Sequence, residues 1–162
     1  MKIHTDLSDL ALLTYTHTAC KDVWPIYFGQ VKKFLPEDMS SFVLSNDVGP
    51  NFAEDNTFLV YDESDPYYIQ YTTGLDQINQ KYILYAQEDF ILYDRPNVER
   101  LMRYLNFLEK TDYSFVRLIR SGFTESDHGL KHIEEDIYDA NTLDLNSFPF
   151  QMQATVWKKS DI

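Results

Sequence analysis

Apolar and polar positions divide the chain into short runs and longer stripes. Residues 10–15 form an apolar run without helical period, set between acidic residues and Thr16, His17 and Thr18, and this reads as a buried strand. Over residues 22–35, Val23, Ile26, Tyr27, Val31, Phe34 and Leu35 fall at helical spacing and Pro36 closes the segment, which predicts a helix with one core-facing stripe. A second strand over residues 41–44 stops at Ser45, Asn46 and Asp47, followed by the turn chemistry of Gly49 and Pro50. Residues 57–61 predict a third strand. Asp65 and Pro66 then supply a cap and a first-turn residue for a helix carrying Tyr68, Ile69, Leu75 and Ile78. Gly74 argues against that helix, since a glycine inside a helix costs about 1 kcal/mol relative to alanine.

Residues 82–86 give the clearest strand, running directly into Gln87, Glu88 and Asp89. Pro96 and Asn97 open a helix whose positions Val98, Leu101, Met102, Leu105 and Leu108 make one stripe. A β-rich run covers residues 113–119. Residues 123–147 are polar and acidic with no sustained period, predicting a long loop with at most one short helix. Residues 148–156 form a last strand or the entry to a helix.

Strands alternating with helices in this order predict a single α/β domain over residues 1–162. Its sheet is mostly parallel and central, with helices on both faces. In open sheets of this kind ligands bind beyond the carboxyl ends of the strands, where this chain places its polar clusters.

Charge narrows the partners. The chain has 26 Asp and Glu against 14 Lys and Arg, a net charge of −12 spread along its length. That distribution argues against a broad electrostatic grip on DNA, RNA or anionic lipid. With 12 Tyr, 11 Phe, 2 Trp and 44% hydrophobic residues, the composition is that of a folded domain rather than a disordered acidic tail. Cys20 is the only cysteine and no Asn-x-Ser/Thr acceptor occurs, which leads us to expect a reduced, cytoplasmic setting. No apolar run approaches the roughly 18 residues of a membrane span.

The abrupt change from apolar strand to Gln87, Glu88 and Asp89 is the most suggestive chemistry. On an extended strand Gln87 and Asp89 share one face while Glu88 points to the other. Oxygen ligands suit Mg²⁺ and Mn²⁺, and one Asp with substrate phosphates is an ordinary Mg²⁺ arrangement. Simple solvation of a strand end is the competing reading. His128 and His132 lie four apart before Glu134, Glu135 and Asp136, but Gly129 opposes a helix and no Glu follows the first His, so a solvated acidic loop is the better reading. Cys20, near Thr16, His17 and Lys21, reads as a small buried apolar residue rather than a nucleophile. Five glycines do not compose a phosphate loop or a dinucleotide fingerprint, and no Gly-x-Ser-x-Gly elbow occurs. Most of the aromatic residues read as core.

The stretch YILYAQEDFILYD over residues 82–94, with the following PNVERLMRYLNFLEK, resembles the centre of nucleotide-sugar glycosyltransferases of the GT-A fold, in which an apolar strand ends in an Asp-x-Asp-like motif. The opening LALLTYTHTACKDVWPIYFGQVKKFLP and the later FVLSND are similar to the first strand, first helix and second strand of such proteins. FPFQMQATVWKK resembles the segment after the motif in bacterial members. The resemblance implies a nucleotide-diphosphate sugar as donor, a divalent cation (Mn²⁺ or Mg²⁺) as cofactor, and a glycan or lipid-linked acceptor. It places Thr14 and Tyr15 at the nucleotide base, Asn46 and Asp47 at the base or ribose, Gln87 and Glu88 in the motif, and Asp89 at the metal and diphosphate. Gln153 and Trp157 fall near the sugar or acceptor. Gln87 stands where the family's motif has its first Asp, and the match identifies no catalytic base. In this family the acceptor half lies beyond the segment ending at Trp157, so the chain is expected to be the donor-binding part of a longer protein. A non-catalytic binding module of the same fold remains the alternative. A nucleotidyltransferase-like enzyme is a weaker one, because residues 16–21 supply no Gly-rich basic loop.

Overall fold

The computed structural model describes residues 3–118, 131–139 and 154–162. Its centre is a six-stranded sheet. The strands are β1 (Leu10–Tyr15), β2 (Ser40–Ser45), β3 (Thr57–Val60), β4 (Tyr82–Gln87), β5 (Phe115–Arg117) and β8 (Thr155–Lys158), in the spatial order β3-β2-β1-β4-β8-β5. The first four are mutually parallel, and β8 runs antiparallel between β4 and β5. The domain is therefore α/β with a mostly parallel sheet, as the alternation of elements predicts.

Among the described residues three α-helices cover the sheet: α1 (Trp24–Phe34), α2 (Tyr67–Leu75) and α3 (Val98–Lys110). Strand alternation sorts them. Leu10, Leu12, Val43, Tyr82 and Ala86 pack with Trp24, Tyr27 and Phe28 of α1 and Leu101, Leu105 and Leu108 of α3. On the other face Ala11, Leu13, Leu44, Ile83 and Tyr85 pack with Tyr71 and Leu75 of α2. Period-2 side chains buried on both faces are what a parallel sheet covered by helices requires, and they explain the near-continuous apolar runs of β1 and β4.

Local chemistry sets the helix limits. Asn97 caps α3 by accepting the Arg100 N–H at 2.9 Å, with Glu99 in the first turn and Lys110 in the last, complementing the helix dipole. Pro25 sits in the first turn of α1 and Pro36 follows its end. Gly74 is compatible with α2 because of what lies beneath it. A Cβ there would approach Leu44 Cδ1 to 2.8 Å, so the glycine lets the helix lie close on β2. The helix stops at Leu75, and Ile78 lies past its end in a turn donating to the Leu75 carbonyl at 3.1 Å.

Three expectations change. Residues 131–139, predicted as loop or short helix, form an antiparallel hairpin of β6 (Lys131–Glu134) and β7 (Ile137–Asp139). Its turn passes through Glu135 at φ 44°, a left-handed conformation on a residue that carries no turn signature in the sequence. The expected strand over residues 113–119 is shorter, Phe115–Arg117, with Ile119 outside the described residues. The final strand begins at Thr155, and residues 148–153 of its expected range also lie outside them. Among the described residues no helix is long and apolar enough to cross a membrane.

Candidate functional site

Chain direction across the sheet reverses between β1 and β4. From β1 the chain steps through α1 to β2 and on to β3, then returns through α2 on the opposite face to β4 on the other side of β1. At such a point the connections leaving the two strands diverge and open a crevice beyond their carboxyl ends. The register sets Tyr15 directly opposite Gln87 there, and Thr14 opposite Ala86.

Tyr15, the last residue of β1, is half-buried and held on several sides. Its ring stacks on Tyr61 at 5.4 Å with 6° between planes and meets Tyr67 edge-on at 5.1 Å. Its hydroxyl donates to Gln70 Oε1 at 2.9 Å. Thr14 is different. It is fully buried, and its hydroxyl shares a 2.6 Å hydrogen bond with that of Tyr27, directing it to α1 rather than to solvent. Burial pushes the Tyr27 hydroxyl up to about 12 despite that bond, and the charges of Glu88 and Asp89 add to the rise.

Strand β4 ends at Gln87, and the Phe90 N–H returns to the Gln87 carbonyl at 3.0 Å, so Glu88 and Asp89 sit in a tight turn. The face alternation expected for Gln87 to Asp89 therefore lapses after Gln87. Asp89 is exposed and Glu88 half-buried. The Cys20 thiol hydrogen-bonds to Glu88, which together with burial and the charges of Glu88, Asp22 and Asp89 pushes its pKa up. Cys20 is thus a half-buried neighbour of the motif rather than a buried apolar residue, and its thiol is kept protonated and a poor nucleophile. His17 offers it no base: Nδ1 accepts from the Ala19 N–H at 2.9 Å and Nε2 pairs with Glu63.

Asn46 uses both ends of its amide on Thr18, accepting the Thr18 N–H at 2.8 Å and donating to its hydroxyl at 3.0 Å. It ties the loop after β2 to the loop after β1. Asp47 is exposed and lines an open pocket of about 490 Å³ with Lys21, Trp24, Val48 and Pro50. Trp157 does not join this group. Its partner in register is Ile83, near the start of β4, and it is buried against Phe115 with ring centres 4.3 Å apart. Gln153 and His128 lie outside the described residues, and His132 stands on β6 with Nε2 facing the Glu135 carbonyl at 2.9 Å.

The register sets Tyr15 beside Gln87, with Glu88 and Asp89 in the turn that follows next to Cys20; Asp47 lines a pocket that Tyr15, Gln87, Glu88 and Asp89 do not enter, and Thr14 and Trp157 turn inward. Tyr61, Tyr67 and Gln70 belong with Tyr15; of the three, only Tyr67 stands out in the sequence, in the aromatic pair Tyr67–Tyr68. Gln70 has a legible signal, a polar residue on the stripe shared by Tyr71, Gly74 and Leu75. Tyr61 carries no signal beyond being aromatic. Among the described residues no three His, Cys, Asp or Glu side chains gather to hold a metal. The oxygen donors of Glu88 and Asp89 suit a cation shared with a ligand's phosphates better than a cage built from protein alone. No protein-family model matches the chain, and no curated protein matches it significantly.

Proposed function

We propose that the chain is the donor-binding domain of a glycosyltransferase, taking the sugar from a nucleotide-diphosphate donor for transfer to a glycan or lipid-linked acceptor in polysaccharide or glycan synthesis. The observation that carries this reading is the juxtaposition of Tyr15 with the turn of Gln87 to Asp89 across the reversal point of the sheet. The resemblance of residues 82–94 to the GT-A motif supports it independently. Tyr15 takes the base and Asp47 the base or ribose. Asp89, with Glu88 beside it, faces the diphosphate through a divalent cation. When bound, that cation neutralises the leaving diphosphate. The requirement is electrostatic, because a domain of net charge −12 with two carboxylates at its crevice repels a bare diphosphate. A reduced, cytoplasmic setting accords with Cys20 being the only cysteine of the sequence.

A thermal-shift panel of UDP-, GDP- and dTDP-sugars with Mn²⁺ tests the reading. A donor at 100 times its dissociation constant adds about 2.7 kcal/mol of stability. No stabilisation by any of them removes the donor-binding claim. Gln87 at the first position of the motif favours a second reading, a binding module without catalysis. That reading gains if Asp89→Ala leaves ligand affinity and transfer unchanged.

A further inference from the structure

Gln70 is a buried polar residue on a helix stripe that otherwise packs tyrosine, glycine and leucine against the sheet. Burying an amide is unfavourable unless each end finds a partner. Both ends do. Nε2 donates to the Asp65 carbonyl at 2.8 Å, just before α2, and Oε1 accepts from the Tyr15 hydroxyl at 2.9 Å. The amide cannot be reversed, because that would set its oxygen against the Asp65 carbonyl oxygen. Gln70 is thereby oriented by its own helix start and presents a fixed acceptor to the crevice end of β1.

Tyr15 has four restraints: the Tyr61 ring beneath it, the Tyr61 hydroxyl beside its own, the Tyr67 ring at its edge and the Gln70 amide at its hydroxyl. Tyr61 is itself anchored, its hydroxyl donating to the Thr16 carbonyl at 3.2 Å. The two ring contacts set the height and tilt of Tyr15, and the Tyr61 hydroxyl, already spent on the Thr16 carbonyl, is not the group that fixes where the Tyr15 hydroxyl lies. The Gln70 hydrogen bond is.

We infer that Gln70 is a positioning residue of the nucleotide site, acting through Tyr15 by holding its ring in the orientation that receives the base. The inference rests on the donor-binding reading above and goes beyond it by assigning a role to a residue of α2 that touches no nucleotide. If the role were only structural, removing the bond would alter stability and leave ligand affinity alone.

The test titrates whichever of UDP, GDP and dTDP binds the wild-type chain most tightly, in the presence of Mn²⁺, into Tyr15→Phe, Gln70→Leu and the double variant. Tyr15→Phe removes the same hydrogen bond without disturbing α2, so the test survives if Gln70→Leu folds poorly. Each single variant is expected to bind roughly tenfold more weakly, the equivalent of about 1.4 kcal/mol. The double variant is expected to be no weaker than Tyr15→Phe, because that change already deletes the Gln70 bond along with the hydroxyl's contact to Tyr61. Unchanged affinity in Tyr15→Phe, or losses that add in the double variant, overturns the inference while leaving donor binding intact. Failure of the wild type to bind any of the three nucleotides overturns the donor reading and this inference with it.

Discussion

At the amino end of the sheet, Glu109 of α3 pairs with Lys81, accepts the Tyr82 hydroxyl at 2.6 Å and faces His4 Nε2 at 3.8 Å, while Asp9 faces His4 Nδ1 at 3.3 Å. Asn106 closes the same end by bonding the His4 backbone through both its amide groups, at 2.8 and 3.2 Å. At the carboxyl end Glu88 and Asp89 have no ion pair among the described residues, although several such pairs occur elsewhere. One set of carboxylates is matched by the fold. In the other, Glu88 takes the hydrogen bond of the Cys20 thiol and Asp89 is exposed to solvent. Matched carboxylates stabilise the native state, whereas adjacent unmatched ones repel each other, and the cost is tolerable where a bound cation compensates it.

Core truncation should produce the largest change and should not distinguish the two ends. Leu105→Ala, at a fully buried position on α3, is expected to cost about 2–5 kcal/mol in denaturant unfolding and to weaken both ends together. The next two changes separate them. Asp89→Asn is expected to weaken nucleoside-diphosphate binding with Mn²⁺ at least tenfold by calorimetry while moving stability by less than about 0.5 kcal/mol, as for an exposed side chain. Glu109→Ala is expected to do the reverse, leaving binding intact and lowering stability by about 1–3 kcal/mol through the abandoned Tyr82 hydroxyl and Lys81 ammonium.

Acid sharpens the same contrast. The hydrogen bonds from Lys81 and then Tyr82 hold the Glu109 carboxyl down at about 2 from its ordinary 4.5. A depressed carboxyl contributes stability that is complete above the unfolded value and is lost as pH falls toward the folded one. Stability should therefore decline between about pH 4.5 and 2 in the wild type, and Glu109→Gln should flatten that part of the profile.

The smallest effect belongs to the β6–β7 hairpin, whose Asp136 accepts the Tyr104 hydroxyl at 3.0 Å and pairs with Arg100 and Arg103 of α3. Burial raises the Asp136 pKa, but the Tyr104 bond and the two arginines outweigh it and bring it down. Asp136→Asn is expected to cost up to about 1 kcal/mol, less at high salt, as partly exposed ion pairs do.

What could be read from the sequence follows the same division. Apolar runs located β1 and β4 to within a residue, because strands buried on both faces leave an uninterrupted hydrophobic record. The hairpin left none. Only Ile137 of its nine residues is buried, and it is held to α3 partly by charges distant in sequence. At the candidate site, polar residues ending strands marked Tyr15, Asp47 and Gln87 to Asp89. Periodicity could not show that the Thr14 hydroxyl is spent on Tyr27, or that Trp157 pairs at the far end of β4. Those facts depend on register and on the position of β8 in the sheet, which no local pattern encodes.

The central proposal is that Glu88 and Asp89, at the crevice, hold a diphosphate through a divalent cation. Calorimetric titration of UDP, GDP and dTDP, each with and without Mn²⁺, into the wild type, Asp89→Asn and Glu109→Ala tests it most directly. Mn²⁺-dependent binding of at least one nucleotide is expected, lost in Asp89→Asn and retained in Glu109→Ala. Binding that is indifferent to both Mn²⁺ and Asp89 would contradict it.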